Sequence, residues 1–305
     1  MSLLSVFRVK RWNGVAVLLS VGVCLLLAAL VSLGSLIGSG MPGNALDDTL
    51  ESVNAAELGS EQVESLAANP PAVTVLPDFT QVADTQMRKQ KFFDYLEDYV
   101  ARQNKRTKDL RRQVISYAEI SESDFTLSPA EQERLTSLAR RYRVKISTAQ
   151  ASSSELTLQA QAQIIDALLL RVDAIPVSLV LAQAANESAW GTSRFAIDGN
   201  NLFGQWCYEQ GCGFVPYERG DDANHEVKRF ETVDAAVAAY FRNINTHPSY
   251  SHFRRMRARM REQERSLDPI QLAYGLGSYS QRGDYYIDEV QTIIQQNDLQ
   301  HRDEG

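Results

Sequence analysis

The feature that most constrains this chain is a stretch without ionisable carboxylates, ammoniums or guanidiniums: from Trp12 to Leu46 there is no Asp, Glu, Lys or Arg. Within it, residues 15–37 (VAVLLSVGVCLLLAALVSLGSLI) are almost wholly apolar. At about 1.5 Å per residue a helix of that length reaches roughly 35 Å, enough to cross the hydrocarbon core of a bilayer. The core of a cleaved signal peptide is usually only about 7–15 residues, so the run predicts an uncleaved transmembrane signal anchor over 14–38. Arg8, Lys10 and Arg11 precede it and acids follow it. The positive-inside rule therefore places 1–13 in the cytoplasm and the rest of the chain across the membrane. Cys24 falls inside the apolar run and reads as filler.

Beyond the anchor the chain divides by composition. Residues 39–85 are acidic, poor in aromatics and interrupted by Pro42, Pro70, Pro71 and Pro77. Such a segment cannot offset its ordering entropy by burial, and it reads as a disordered tether with a root-mean-square span of roughly 35–40 Å. The chain as a whole is 44% apolar and 23% charged, so the portion after the tether can bury a core. A net charge of −7 gives no case for nucleic acid as a partner. Three cysteines exclude a four-cysteine zinc or iron–sulfur site, and the four histidines form no HExxH pair. No metal and no cofactor are expected.

Residues 86–302 pattern as a mainly helical domain. Phe92, Phe93, Tyr95, Leu96 and Tyr99 form a helical stripe in 87–103. Ser128-Pro129-Ala130-Glu131 carries a serine N-cap, proline at the first helical position and a capping-box glutamate. Further helices are predicted over 153–171, 177–190, 232–246, 253–264, 269–274 and 285–296. Residues 204–230 differ: glycines, Pro216 and alternating apolar residues suit a small β-hairpin lobe. The arginine run Arg254, Arg255, Arg257, Arg259 and Arg261 reads as a solvated helix face, with contact to anionic cell-wall polymers or membrane headgroups as the alternative. Asn243, Asn245 and His247 read as a polar loop holding the helical core.

The chemistry concentrates at Gln183-Ala-Ala-Asn-Glu187-Ser-Ala-Trp190-Gly191. Glu187 ends an otherwise apolar helix, with Gly191 as the expected terminator. The negative end of the helix dipole and apolar contact with Trp190 both disfavour an ionised carboxylate. A carboxyl kept protonated near neutral pH is what a general acid requires. Downstream, Asn200-Asn201-Leu202-Phe203-Gly204 offers amides suited to sugar hydroxyl and acetamido groups and a ring suited to a pyranose face.

Together the runs QAANESAWGTSRFA and NNLFG resemble the signature of bacterial peptidoglycan endo-β-N-acetylglucosaminidases, glycoside hydrolase family 73. Residues 140–144, 171–176 and 243–250, with Cys207 to Cys212, are similar to the Bax-type branch of that family. Gly277-Ser278-Tyr279-Ser280 with Tyr286 resembles the family's closing Gly-Tyr-Ser/Ala motif, with Ser278 where a glycine is usual. The resemblance spans about 86–300. It implies a lysozyme-like helical domain with a small β-lobe and a substrate groove. It also implies hydrolysis of the β-1,4 bond after N-acetylglucosamine in peptidoglycan, with Glu187 as catalytic acid. Trp190, Asn200, Asn201, Phe203, Tyr279 and Tyr286 then match positions that line the groove.

Glycosidases usually need a second carboxylate, whose distance from the first sets the stereochemistry. The lobe offers Glu209, Glu218, Asp221, Asp222 and Glu226, with Glu226 preferred and Glu218 next. The alternative is assistance by the sugar's own acetamido group, oriented by Tyr279. In an extracytoplasmic setting Cys207 and Cys212 are expected to form a disulfide closing the lobe. The localisation that follows is the bacterial inner membrane, single-pass, with the catalytic domain in the periplasm. Two other functions compete. A lytic transglycosylase shares the Glu-Ser motif but normally carries a downstream Gly-Leu-Met-Gln run, where this chain has Asn-Leu-Phe-Gly-Gln. A non-catalytic peptidoglycan-binding scaffold would not need Glu187.

Overall fold

The structure, a computed structural model, describes residues 76–122, 126–146, 156–216 and 225–304. The expected anchor, most of the tether and Glu218, Asp221 and Asp222 lie outside the described residues. Among the described residues no helix is long and apolar enough to cross a membrane.

The domain is mainly helical with one small antiparallel sheet. Its spine is α1 (Thr85–Glu122), longer than the 87–103 stripe predicts. The Asp84 carboxylate starts it by accepting from the Met87 amide at 2.6 Å. Phe92, Phe93, Leu96, Tyr99 and Val100 from its first half enter one hydrophobic core, while Val114 and Tyr117 enter a second. That second core is completed by α2 (Pro129–Arg141) and α3 (Leu158–Arg171). The capping box at Ser128 and Glu131 forms as the sequence predicts.

The first core is built around α4 (Val177–Ser188), which is buried on nearly every side. An apolar helix without a polar face has to be wrapped by its neighbours. Here these are α1, α8 (Pro269–Ala273), α9 (Asp284–Gln296) and the 3-10 turn Leu299–Asp303, while α6 (Val233–Thr246) and α7 (Ser251–Glu262) add side chains to the same core. Near the end of the chain, Asp303 accepts from the Ser178 amide at 2.9 Å and its hydroxyl at 2.6 Å, supplying the cap that Pro176 cannot.

The link between α3 and α4 corrects the reading of the arginine run. Arg257 is 1% exposed. Its guanidinium donates to the carbonyls of Leu170, Arg171, Asp173 and Ala174 and to Asn245 Oδ1. Arg111 donates to the Leu169 and Val172 carbonyls. Arg261 pairs with the Asp173 carboxylate at 3.0 Å. Arginines whose partners lie some 80 residues away serve here to bind the carbonyls ending one helix and to neutralise a buried acid. Burial pushes the Asp173 carboxyl up, but Arg257, Arg261 and Arg111 outweigh it and leave it below its ordinary value. Asn245 belongs to the same network, as expected of a core-holding polar residue.

The predicted hairpin is a three-stranded sheet in the order β1-β3-β2, with β1 at Trp206–Cys207, β2 at Gly213–Phe214 and β3 at Glu226–Lys228. Both pairings are antiparallel, with Cys207 opposite Glu226 and Phe214 opposite Val227. Gly213 is required where β2 meets β3: a Cβ there would lie 2.0 Å from the Val227 carbonyl oxygen. Short α5 (Arg194–Gly199) joins α4 to this lobe.

Candidate active site

Glu187 sits in the last turn of α4. The helix ends earlier than the position of Gly191 suggests, because Ala189 and Trp190 already take left-handed backbone angles, with φ of 50° and 55°. Gly191 continues the reversal at φ 74°. Ser188 pins it: its hydroxyl donates to the Ala184 carbonyl at 2.6 Å and accepts from the Gly191 amide at 2.9 Å. A Cβ on Gly191 would meet the Phe79 ring at 2.8 Å. Three successive left-handed residues, two of them not glycine, store strain directly beside Glu187.

Four tyrosines face this carboxyl. Tyr286 of α9 hydrogen-bonds it, and Tyr240 of α6, Tyr250 in the turn after α6 and Tyr279 before α9 all lie in its field. Burial raises the Glu187 carboxyl above its ordinary value; the Tyr286 hydroxyl and the Arg282 charge oppose this, and Glu289 adds to it. The four phenols are all raised too, chiefly by burial, so they remain neutral donors. Tyr279 and Tyr286 stack with ring centres 5.5 Å apart. From the lobe side Gly204 closes over Glu187: a Cβ there would lie 3.1 Å from Oε2.

The structure thus brings Glu187, Tyr279 and Tyr286 together. Trp190 is half-buried, with Lys89 Nζ 4.8 Å from its ring centre. The remaining expected site residues are engaged elsewhere. Tyr279 donates to the Phe203 carbonyl at 2.8 Å. Phe203 is buried and stacks on Tyr240 at 4.3 Å, so its face is occupied. Asn201 is 2% exposed. Its amide donates to the Gln205 and Lys228 carbonyls and its oxygen accepts from the Phe203 and Gln205 amides. Asn200, itself left-handed, ends α5 and donates to the Phe230 carbonyl at 3.0 Å. These residues bind the 200–205 turn to β3 and so set where Gly204 meets Glu187.

Cys207 and Cys212 are joined in a disulfide. Glu226 lies beside it and is 4% exposed. One of its oxygens accepts from the Gly211 amide at 3.0 Å and the other from the Gly213 amide at 2.8 Å. These three residues form the one cluster of metal-ligating types among the described residues, and its sulfurs are tied up in the disulfide.

Two contributors carry no label in the sequence reading. Gln183 lies one turn before Glu187 on the same face, a spacing that was legible. Tyr240 comes from α6 with no local signal. The exposed aromatic of the lobe is Trp206, 52% exposed and stacked on His225 at 4.3 Å. A surface cavity of about 410 Å³ opens beside the site, lined by Asn186, Tyr285, Asp288, Glu289, Thr292 and Ile293.

Comparisons with known proteins cover this part of the chain. The family described as mannosyl-glycoprotein endo-beta-N-acetylglucosaminidase matches residues 162–299, which hold Glu187, the lobe and all four tyrosines. Protein bax of Escherichia coli (strain K12) is 34% identical over 222 residues, 73% of this chain and 74% of that protein. No solved structure matches. With the motif, the fold and the likeness to protein bax in agreement, the chain belongs to the glucosaminidase family, in its Bax-type branch.

Proposed function

We propose that this protein hydrolyses the β-1,4 bond after N-acetylglucosamine in peptidoglycan, with Glu187 as general acid. The observation that carries the reading is the state of the Glu187 carboxyl. It is raised by burial and hydrogen-bonded by a neutral phenol, at the junction of the helical core and the lobe. A carboxyl whose protonated form is favoured by burial can deliver the proton as the glycosidic C–O bond lengthens, so the leaving sugar departs as an alcohol rather than an alkoxide. The strain at Ala189 and Trp190 and the closure by Gly204 hold that carboxyl in one place, which is what positioning an acid requires.

The second catalytic group belongs to the same proposal. Glu226 has both oxygens committed to backbone amides and almost no exposure. Such bonds favour the ionised form and reduce basicity, which suits a brace for the lobe more than a base or nucleophile. Glu218, the next candidate, lies outside the described residues and is the carboxylate assigned this role. The apolar run of residues 15–37 supports attachment to the bacterial inner membrane, with the acidic stretch as a tether to the periplasmic domain.

Chain-end chemistry tests the function. Purified peptidoglycan digested by the protein is expected to yield fragments with new reducing N-acetylglucosamine ends by mass spectrometry. Anhydro-muramic ends would make it a transglycosylase, and retained binding without cleavage would make it a scaffold.

A further inference from the structure

Behind Glu187 runs a chain of hydrogen bonds with a defined direction. The Tyr240 hydroxyl donates to Gln183 Oε1. The other end of that amide, Gln183 Nε2, donates to the Tyr286 hydroxyl oxygen at 2.8 Å. Tyr286 in turn bonds Glu187. Gln183, Tyr240 and Tyr286 are each 0% exposed, so no solvent competes for these groups. An amide has distinct donor and acceptor ends, and a phenol has a single proton. Once Tyr240 claims Oε1, Nε2 must point at Tyr286. Because Tyr286 then receives a hydrogen bond on its oxygen, its own proton is free for Glu187.

We infer that Gln183 is a positioning residue acting through Tyr286: held by Tyr240, its amide makes the Tyr286 hydroxyl an obligate donor to one oxygen of Glu187 and leaves the acid proton to the other. The inference rests on the reading of Glu187 as the acid. With the amide reversed, Tyr286 would donate to Gln183 instead, and Glu187 would lose its only phenolic donor bond. The charged and titratable groups facing Glu187 are Tyr286, Arg282 and Glu289 around α9, Tyr240 from α6, Tyr250 after α6 and Tyr279 before α9. Gln183 bonds two of these, Tyr240 and Tyr286, and of the two only Tyr286 hydrogen-bonds Glu187. The effect of Gln183 must therefore pass through Tyr286, which separates it from general packing.

The test is the titration of Glu187 itself, followed by carbon-13 NMR of side-chain carboxyls in the glutamate-labelled protein and assigned with Glu187→Gln. Tyr286→Phe removes the donor to Glu187, leaves burial unopposed and moves the midpoint up in pH. Gln183→Met, similar in size but without polar ends, is expected to move it in the same direction. Tyr240→Phe, which frees the amide to turn while leaving a ring in place, gives a smaller shift of the same sign and serves if Gln183→Met does not fold. In the Tyr286→Phe background, Gln183→Met adds nothing further. The basic limb of the kcat/KM profile moves up in pH with the midpoint. An unmoved midpoint in both Gln183→Met and Tyr240→Phe overturns the inference, as does a Gln183→Met shift that adds fully to that of Tyr286→Phe. The titration needs no turnover: a protein that cleaves nothing but shows these shifts would refute the proposed function and leave the positioning chain standing.

Discussion

Replacing Gly204 by alanine puts the geometry of the acid to a quantitative test. Two effects arise at this one position. Gly204 has φ +62°, a left-handed conformation that costs an L-residue about 1–2 kcal/mol. In a domain of 150–250 residues each kcal/mol shifts the melting temperature by about 2–4 °C, so a fall of roughly 2–8 °C is expected. The added methyl would also sit 3.1 Å from Glu187 Oε2 and 3.9 Å from its Cδ, so the carboxyl must give by a few tenths of an ångström. Misplacement of about 1 Å can cost on the order of a hundredfold in rate; a smaller displacement of an acid still held by Tyr286 is expected to cost about tenfold. Gly283 supplies the control. It has φ +55° and ψ −119°, a backbone less open to an L-residue than the left-handed region, with nothing within 4 Å of a Cβ, so Gly283→Ala carries at least as much backbone strain without the contact. The assay pairs thermal unfolding with release of soluble fragments from peptidoglycan. Gly283→Ala should lose at least as much stability as Gly204→Ala, and only Gly204→Ala should lose turnover. Equal turnover in the two variants would refute the claim that Gly204 limits the position of the Glu187 carboxyl.

Other consequences follow from the same contacts. The folded Glu187 carboxyl is raised above its unfolded value, so its favourable protonated state is fully present below about pH 4.3 and is lost as pH rises through the raised midpoint. Glu187→Gln should therefore melt higher than the parent at pH 7, with the gap closing near pH 4 in the same thermal assay. Asp173 has the opposite sign: its folded value is depressed, so its contribution is present above about pH 3.9 and is lost on acidification below that. Removing it in Asp173→Ala leaves buried arginines uncompensated and should cost about 3–5 kcal/mol by urea unfolding. Glu226→Ala leaves the Gly211 and Gly213 amides without their carboxylate and should cost about 1–3 kcal/mol. Glu218→Gln should lower turnover, read by fragment release.

What the sequence revealed depended on how local each signal was. The helix 177–188 was legible because an apolar run after Pro176 leaves no polar face. The Ser128–Glu131 capping box was legible because all its partners lie within four residues. The extent of α1 was not, because its second half buries Val114 and Tyr117 in a separate core and shows a sparser stripe. The arginine run looked solvated because charge usually is; Arg257 is buried because carbonyls at 170–174 need donors, and no pattern near Arg257 reveals that. At the site, the motif located Glu187, Tyr279 and Tyr286 but gave Asn201 and Phe203 outward roles. Their side chains turn inward, Asn201 to four backbone partners and Phe203 onto Tyr240. Tyr240 enters from α6 and only the folded chain brings it to Gln183.

The central claim is that Glu187 is the acid of a glycoside hydrolase, and single-turnover cleavage of purified peptidoglycan by Glu187→Gln tests it most directly. The glutamine keeps an acceptor for Tyr286 and removes only the transferable proton. The account predicts that the variant folds, binds peptidoglycan as the parent does and releases fragments at least about a hundredfold more slowly, the scale of a lost general acid. Cleavage by Glu187→Gln at the parental rate, with the same chain ends, would contradict it.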